Sequence, residues 1–377
     1  MSADDRQKHL FSLTNFMFGS TPGPWFRLLR QNHFAIDPPF YFRAAAVSLV
    51  TPVNALARLI EEQKWGERIA STRLAGPPIF LLGHWRSGTT HLHYMMSQDE
   101  RFATPNNYQV ARPFAFMGGG EHSALGRLAE RLGLMPKTRP MDNVAVSFDS
   151  PQEDEQGLFM ASLLSPLGGW FFLRNDQQYD KYLTFEDCSE AERSEWKRTL
   201  DWFNRKLTCY FGERQLLLKS PPHTGRIRLI LEQYPDAKFV HIHRNPYDVF
   251  RSFRHFYDTL VRLVNLQRMR MSDVEDTIIR RYRLLHEGYF EQRELLGPDR
   301  LIDIRYEALE QAPIEQMRRI YDTLDLGGWD AFEPRLRRYL DGQRSYTKNP
   351  SPALPEPIRN RLADAWERSF REWDYAA

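Results

Sequence analysis

The residues from Gly83 to Thr90, GHWRSGTT, follow a short apolar run, Ile79 to Leu82, and precede a helical pattern through Leu92, Tyr94, Met95 and Met96. A strand, a tight glycine turn and a hydroxyl-rich helix start together make an anion cradle. The first N–H groups of a helix have no intrahelical partner and carry the positive end of its dipole. The Gly83-to-Gly88 spacing matches the phosphate loop G-x-x-x-x-G-K-[ST], but Thr89 stands where the lysine belongs. The nearby cation is Arg86, inside the loop. The pattern predicts a cradle for a phosphate-type group that is not wired like an ATPase.

Two further cations stand at the ends of apolar runs. Lys219 follows Leu216-Leu217-Leu218, and Arg244 follows Phe239-Val240-His241-Ile242-His243. Ser252, eight residues beyond Arg244, falls on the helix expected from Tyr247. Arg86, Lys219 and Arg244 converging on one ligand would suit a molecule with more than one phosphate-like group, each held by charge-assisted hydrogen bonds. Proton-transfer candidates are Glu153 and Glu155 in the run Pro151-Gln152-Glu153-Asp154-Glu155, and His223, four residues after Lys219.

These residues need a scaffold. Strands are expected at 79–82, 215–218, 238–243 and 301–304, alternating with helices from Ile227, from Tyr247 and over 313–324. That alternation predicts an α/β fold, a P-loop-like parallel sheet flanked by helices. Ligands of such sheets bind beyond the carboxyl ends of the strands. Further helices are expected over Ser150–Leu164, with acids in its first turn, and Ser189–Tyr210, opened by Ser189 and Glu192 in capping-box spacing. Residues 98–150, with Gly118, Gly119 and Gly120, read as irregular. His241 and His243 alternate on one strand face and read as structural.

Composition bounds the remaining possibilities. The chain has 377 residues, enough for a sizeable core. Its net charge is only +2, so no bulk attraction to nucleic acid is expected. Cys188 and Cys209 form neither a disulfide framework nor a metal-ligand spacing, so no metal and a reducing compartment are expected. The first twenty residues carry Asp4, Asp5, Arg6 and Lys8 and do not read as a secretory signal, so a cytoplasmic location is expected. Residues 1–70 are expected to form a helical, aromatic segment packing on the core or the acceptor site, with residues 71–377 as the catalytic domain. Phe34 to Ile60 reads either as a helix packed on the core or as a surface touching lipid or a lipophilic substrate, which would make the protein membrane-peripheral.

The motifs resemble those of the sulfotransferases that use 3′-phosphoadenosine 5′-phosphosulfate (PAPS). Arg86-Ser87-Gly88-Thr89-Thr90 is similar to that family's [KR]-S-G-T-T loop. Arg244 to Ser252, RNPYDVFRS, resembles its R-[ND]-P-x-[DE]-V-x-x-S motif, and Tyr306 in RYEAL resembles a strand end near the adenine. A bacterial branch with GHWRSGTT, PQEDE and LKSPxHTxR looks most similar, and Tyr346 and the tail from Trp366 to Tyr375 add to the likeness. The resemblance covers roughly residues 70–377 and implies the sulfotransferase fold, PAPS as co-substrate, PAP as product and no metal.

The resemblance also implies roles. Arg86, Ser87, Gly88, Thr89 and Thr90 would hold the 5′-phosphosulfate, with Arg86 on the leaving phosphate. Arg244 and Ser252 would hold the 3′-phosphate, and His91 and Tyr306 would lie near the adenine. Lys219 would act on the transferring sulfuryl group. The base is left between Glu153, Glu155 and His223; the family's usual histidine position, two after the lysine, is Pro221 here. The implied acceptor is a small molecule, a lipophilic alcohol; Phe159, Trp170, Phe171 and Phe172, with the aromatic amino-terminal segment, read as its apolar lining, and a segment carrying Leu263, Leu266, Met269 and Met271 reads either as its cover or as a plain helix-packing face. The runner-up is a P-loop kinase or NTPase.

Overall fold

The structure is a computed structural model that describes residues 16–118, 147–343 and 353–377. Gly119, Gly120 and Tyr346 lie outside the described residues.

Ile79 to Leu82 are four apolar residues in a row, and all are fully buried. That suits a central strand of a parallel sheet covered on both faces. This strand, β1 (Ile79–Leu82), pairs in parallel with β3 (Gln215–Lys219) on one side and β4 (Lys238–His243) on the other. β4 carries β5 (Leu301–Arg305), and β3 carries the two-residue β2 (Phe102–Ala103). The order among the described residues is β2-β3-β1-β4-β5, all parallel. The α/β reading and its four strands therefore hold. β2 was read as irregular chain, because two residues carry no periodicity.

Alternate residues feed two cores. Phe80, Leu82, Leu218 and Phe239 join a large apolar cluster on one face. Ile79, Leu81, Leu217, Val240 and Ile242 join a smaller one on the other. Strand side chains alternate faces, so both helical layers are fastened to the same strands.

The amino-terminal segment belongs to the larger core. Helices α1 (Pro22–Gln31) and α2 (Tyr41–Ser71) contribute Trp25, Leu28, Leu29, Val47 and Ile69 to it. α2 is also pinned by polar groups. The Arg43 guanidinium donates to the Asn265 carbonyl at 2.5 Å, and Ser48 Oγ accepts from Trp25 Nε1 at 2.8 Å. Asn54 donates to the Phe18 and Ser20 carbonyls, and Glu61 is ion-paired with buried Lys206. Its opposite face is exposed.

After β1 the chain forms α3 (Thr89–Met96). The helix expected from Ser150 begins later, as α4 (Asp154–Ser162). A bridge between Asn106 and Pro151, and the Gln152 amide bonded to the Pro105 carbonyl at 2.9 Å, keep the preceding residues extended. Glu153 thus becomes the residue that caps α4, with an extended backbone. α5 (Glu190–Phe211) opens with the reciprocal Ser189–Glu192 capping box. After β4 come α6 (Pro246–Phe256) and α7 (Met271–Gln292). Between them Leu266 is fully buried, its amide bonded to Phe171 and its carbonyl to the Asp37 amide. This segment packs inward and ties α6 to the amino-terminal turn, in keeping with the packing-face reading.

Candidate functional site

Strand register brings residues far apart in sequence to one rim. Lys219 lies opposite Leu81, Leu82 opposite His241, and His243 opposite Arg305. The carboxyl edge therefore reads, in spatial order, Lys219, the Gly83–Gly88 loop, Arg244 and Tyr306. Because β1 is flanked by β3 and β4, the connections diverge there. Open parallel sheets place their ligands at such a point.

The loop is closed from within. The Ser87 amide bonds to the His84 carbonyl at 3.1 Å, and Ser87 Oγ donates to the same oxygen at 2.8 Å. From outside, Thr224 Oγ1 accepts the Gly83 amide at 2.7 Å. Gly88 has φ +103° and presses on Tyr306; a Cβ there would collide with the tyrosine ring. Thr89 is buried, and Thr90 and His91 are half-buried on the first turn of α3. His84 is sealed beneath the loop, where burial drives its imidazole down to about 3 despite the bond to the Trp85 carbonyl. It is a neutral structural part of the cradle.

Arg86, at φ +71°, sends Nε to Ser252 Oγ at 2.9 Å. Arg244 crosses behind the loop. Its Nη1 lies 3.4 Å from the Arg86 carbonyl, and its guanidinium sits 4.6 Å over the Tyr306 ring. Asp248 approaches it only to 3.8 Å. Arg244 Nε is buried with no hydrogen-bond partner among the described residues. A buried guanidinium N–H without an acceptor is costly, and an anion at this corner would satisfy it. The resemblance assigned Arg86 to one phosphate and Arg244 with Ser252 to another. In the structure the Arg86 guanidinium points at Ser252, so the two are one connected basic corner.

On the other side of the loop, Lys219 Nζ donates to Glu153 Oε1 at 2.8 Å. The lysine side chain is 1% exposed and the glutamate 15%. The other two base candidates are elsewhere. Glu155 is fully buried in a two-bond pair with Arg226, 2.7 and 2.9 Å, so both its oxygens are engaged. His223 is fully buried, with Nε2 2.7 Å from Asp154 Oδ2 and its ring edge-on to Phe80 and Trp196. Both are sealed from solvent in the structure. Glu153 alone of the three is open to solvent.

Asp154 and Ser220 were not singled out from the sequence. Ser220 Oγ donates to Asp154 Oδ1 at 2.7 Å and accepts the Glu155 amide at 3.0 Å. Burial raises the Asp154 carboxyl, but its bonds from His223 and Ser220 outweigh that and hold it below the ordinary range. The cluster locks the start of α4 onto the end of β3, which sets Glu153 against Lys219. The only sequence signal was the acid run itself, in which alternate acids could not be told apart. The carboxyl-terminal tail was also underrated: Trp373 stacks on His243 at 4.8 Å, and Tyr375 donates to Glu307 at 2.8 Å. Glu307 in turn accepts the Asn245 amide beside Arg244.

The expected aromatic lining is core. Phe159, Phe171 and Phe172 are fully buried and Trp170 nearly so, with Phe159 stacked on Phe171 at 5.7 Å. Trp170 meets Trp85 of the loop at 5.9 Å, so these rings support the cradle from below. Among the described residues no cluster of histidine, cysteine or acidic side chains is placed to hold a metal.

A parallel sheet with a glycine loop, a basic corner beside it and a buried lysine–carboxylate pair at its carboxyl edge has the chemistry of a group-transfer enzyme. The model of the sulfotransferase family matches residues 77–331, and the chain belongs to that family. It is 37% identical over 331 residues to the omega-hydroxy-beta-dihydromenaquinone-9 sulfotransferase Stf3 of Mycobacterium bovis, covering 86% of this chain and 82% of that one. Stf3 of Mycobacterium tuberculosis matches equally. In fold it is similar to crystal structures of sulfotransferase STF9 from Mycobacterium avium (TM-score 0.66, 18% identity, 95% of this chain and 97% of that one) and STF1 from Mycobacterium tuberculosis H37Rv (0.66, 16%, 97% and 99%). The enzyme is a sulfotransferase, and the kinase or NTPase reading falls away.

Proposed function

We propose that this sulfotransferase moves the sulfuryl group of PAPS to a hydroxyl of a lipophilic small molecule and releases PAP. The observation that carries the donor half is the orphaned Nε of Arg244 in a corner shared with Arg86 and Ser252, one loop away from the Lys219–Glu153 pair. A bisphosphorylated nucleotide places one anion in each neighbourhood. Support for a lipophilic acceptor is the relative Stf3, whose name gives a hydroxylated menaquinone derivative as its substrate.

In the transfer, the acceptor oxygen forms a bond to sulfur as the bond from sulfur to the 5′-phosphate oxygen breaks. The roles proposed for the chain's own groups follow from their chemistry. Glu153 takes the acceptor proton on the carboxylate oxygen not bonded to Lys219. Lys219, already buried and oriented, neutralises negative charge as it gathers on the departing oxygen. The N–H groups at the start of α3 hold the 5′-phosphate. The Arg86–Ser252–Arg244 corner holds the 3′-phosphate. His91 and Tyr306 flank the base, with Tyr306 kept in place by Gly88 and Arg244.

The test is turnover of PAPS by the purified enzyme against polyprenyl, steroid, phenolic and sugar alcohols, read as PAP release and sulfated product. Sulfation confined to the lipophilic alcohols is expected. Sulfation of sugars alone would overturn the acceptor half, and tighter binding of ATP with magnesium than of PAP would overturn the donor half.

A further inference from the structure

The outer face of α2 is apolar over most of its length. Phe42, Ala45, Leu49, Val53, Leu56 and Ile60 are exposed and recur every three or four residues, the spacing of one helix face. Leu49 is 78% and Val53 66% exposed. At 1.5 Å per residue the stripe runs about 27 Å. Between Arg43, which is turned inward, and Arg58 there is no charged residue. Phe26 and Phe34, rings 5.5 Å apart, add a second exposed apolar pair at the end of α1. Single exposed apolar side chains are ordinary on a protein surface; a continuous stripe of this length is not.

Three observations say what covers it. The segment from Pro38 to Ser71 is, by length and composition, apolar enough to cross a bilayer. Its inner face is nonetheless fastened to the body through Arg43, Ser48, Asn54 and the buried Glu61–Lys206 pair, and crossing would tear out all four. A helix fixed along one face and apolar along the other lies in the plane of a membrane interface. From Pro22 to Ile60 the solvent-facing charged side chains are cationic: Arg30, the half-exposed Arg27, 3.9 Å from Glu195, and Arg58, 3.7 Å from Glu62. The sole acid there, Asp37, is bonded to Arg174 at 2.7 Å.

We infer that the outer face of α2, with Phe26 and Phe34, is a docking surface that lays the protein flat on an anionic lipid bilayer. The inference does not depend on which acceptor is sulfated, and its test needs no turnover. The full chain is sedimented with sucrose-loaded vesicles of phosphatidylglycerol and phosphatidylcholine, and compared with the triple variant Leu49→Glu, Val53→Glu, Leu56→Glu. The native chain is expected to pellet with the anionic vesicles, and the variant to lose about tenfold or more in partitioning. Unchanged thermal stability and PAP affinity in the variant would show that its fold survives.

Equal partitioning of the two proteins overturns the proposal, as does a native chain that stays in solution. Analytical ultracentrifugation then identifies the true occupant. A concentration-dependent dimer abolished by the triple variant would assign the face to a second copy. Vesicle binding that appears only on deletion of residues 1–15 would assign it to that segment.

Discussion

Lys219 Nζ donates to Glu153 Oε1 across 2.8 Å, and this one bond joins the carboxyl end of β3 to the residue that caps α4. The two members are not equivalent. The lysine is sealed from water, whereas the glutamate keeps part of its carboxylate open. A buried ammonium needs compensating partners, and Glu153 is one of those that serve Lys219, even before any chemistry. The Asp154–Ser220–His223 cluster behind it removes the freedom of α4 to drift from β3.

From this pair, Glu153→Gln is expected to lower kcat by about 10²–10⁴-fold, the usual span for loss of a general base. PAP affinity should change by no more than about twofold. Lys219→Ala should likewise lower kcat far more than it weakens PAP binding. Steady-state rates at saturating PAPS, set beside calorimetric titration of PAP, check both. Parallel losses in rate and affinity would mean that the pair serves binding and not the transition state.

Arg244→Ala should weaken PAP binding by about 1.5–3 kcal/mol, the range for a hydrogen bond to a charged group. Ser252→Ala should cost about 0.5–1.5 kcal/mol, the range for a neutral hydroxyl, and in addition frees Arg86 Nε from its partner. Calorimetry with PAP and with adenosine 5′-phosphate separates the roles. Both variants should lose affinity for PAP while binding of the monophosphate, which lacks the second anion, is nearly unchanged.

Glu155→Gln tests the opposite assignment. It leaves Arg226 buried with its charge uncompensated, and removing one partner of such a pair costs about 3–5 kcal/mol. The variant should unfold at markedly lower urea, while the folded fraction keeps nearly the native kcat. A fully stable but inactive Glu155→Gln would return that carboxylate to the catalytic site.

The legible part of the fold was the part with short-range signals. Ile79–Leu82, Lys238–His243 and the Ser189 capping box announce themselves through unbroken apolar runs or a fixed spacing. That the cations gather at one rim followed from the rule that parallel strands present their carboxyl ends to ligands; their order along it came only with the sheet topology. Which acid faced the site was not legible. Glu153, Asp154 and Glu155 are adjacent, and their directions depend on where α4 begins, which the distant Asn106–Pro151 bridge decides. The aromatic run after Gly169 could be core or lining on composition alone; close packing against Trp85 and Phe256 made it core. The turn of Arg86 toward Ser252 rests on a left-handed backbone at a non-glycine residue, for which its sequence carries no signal.

The cradle also sets how the enzyme responds to acid. Burial holds His84 down to about 3, and burial with the neighbouring His241 holds His243 to about 3. His286, packed against His84, is driven the same way by burial. Each imidazole is neutral in the fold but ionises near 6.5 in the unfolded chain. Above pH 6.5 neither state binds the proton and these groups cost nothing. As pH falls below 6.5 the unfolded chain takes up protons that the fold excludes, so stability drops with decreasing pH until about pH 3. At pH 5 the loss is about 2 kcal/mol for each of His84 and His243, from 1.36 kcal/mol per pKa unit. His84→Asn keeps an N–H for the Trp85 carbonyl but cannot titrate. Urea unfolding at pH 7.5 and pH 5 should therefore give a difference smaller by about 2 kcal/mol in His84→Asn than in the native enzyme. An identical pH dependence in the two proteins would mean that His84 takes up its proton without unfolding, and that the loop opens to admit it.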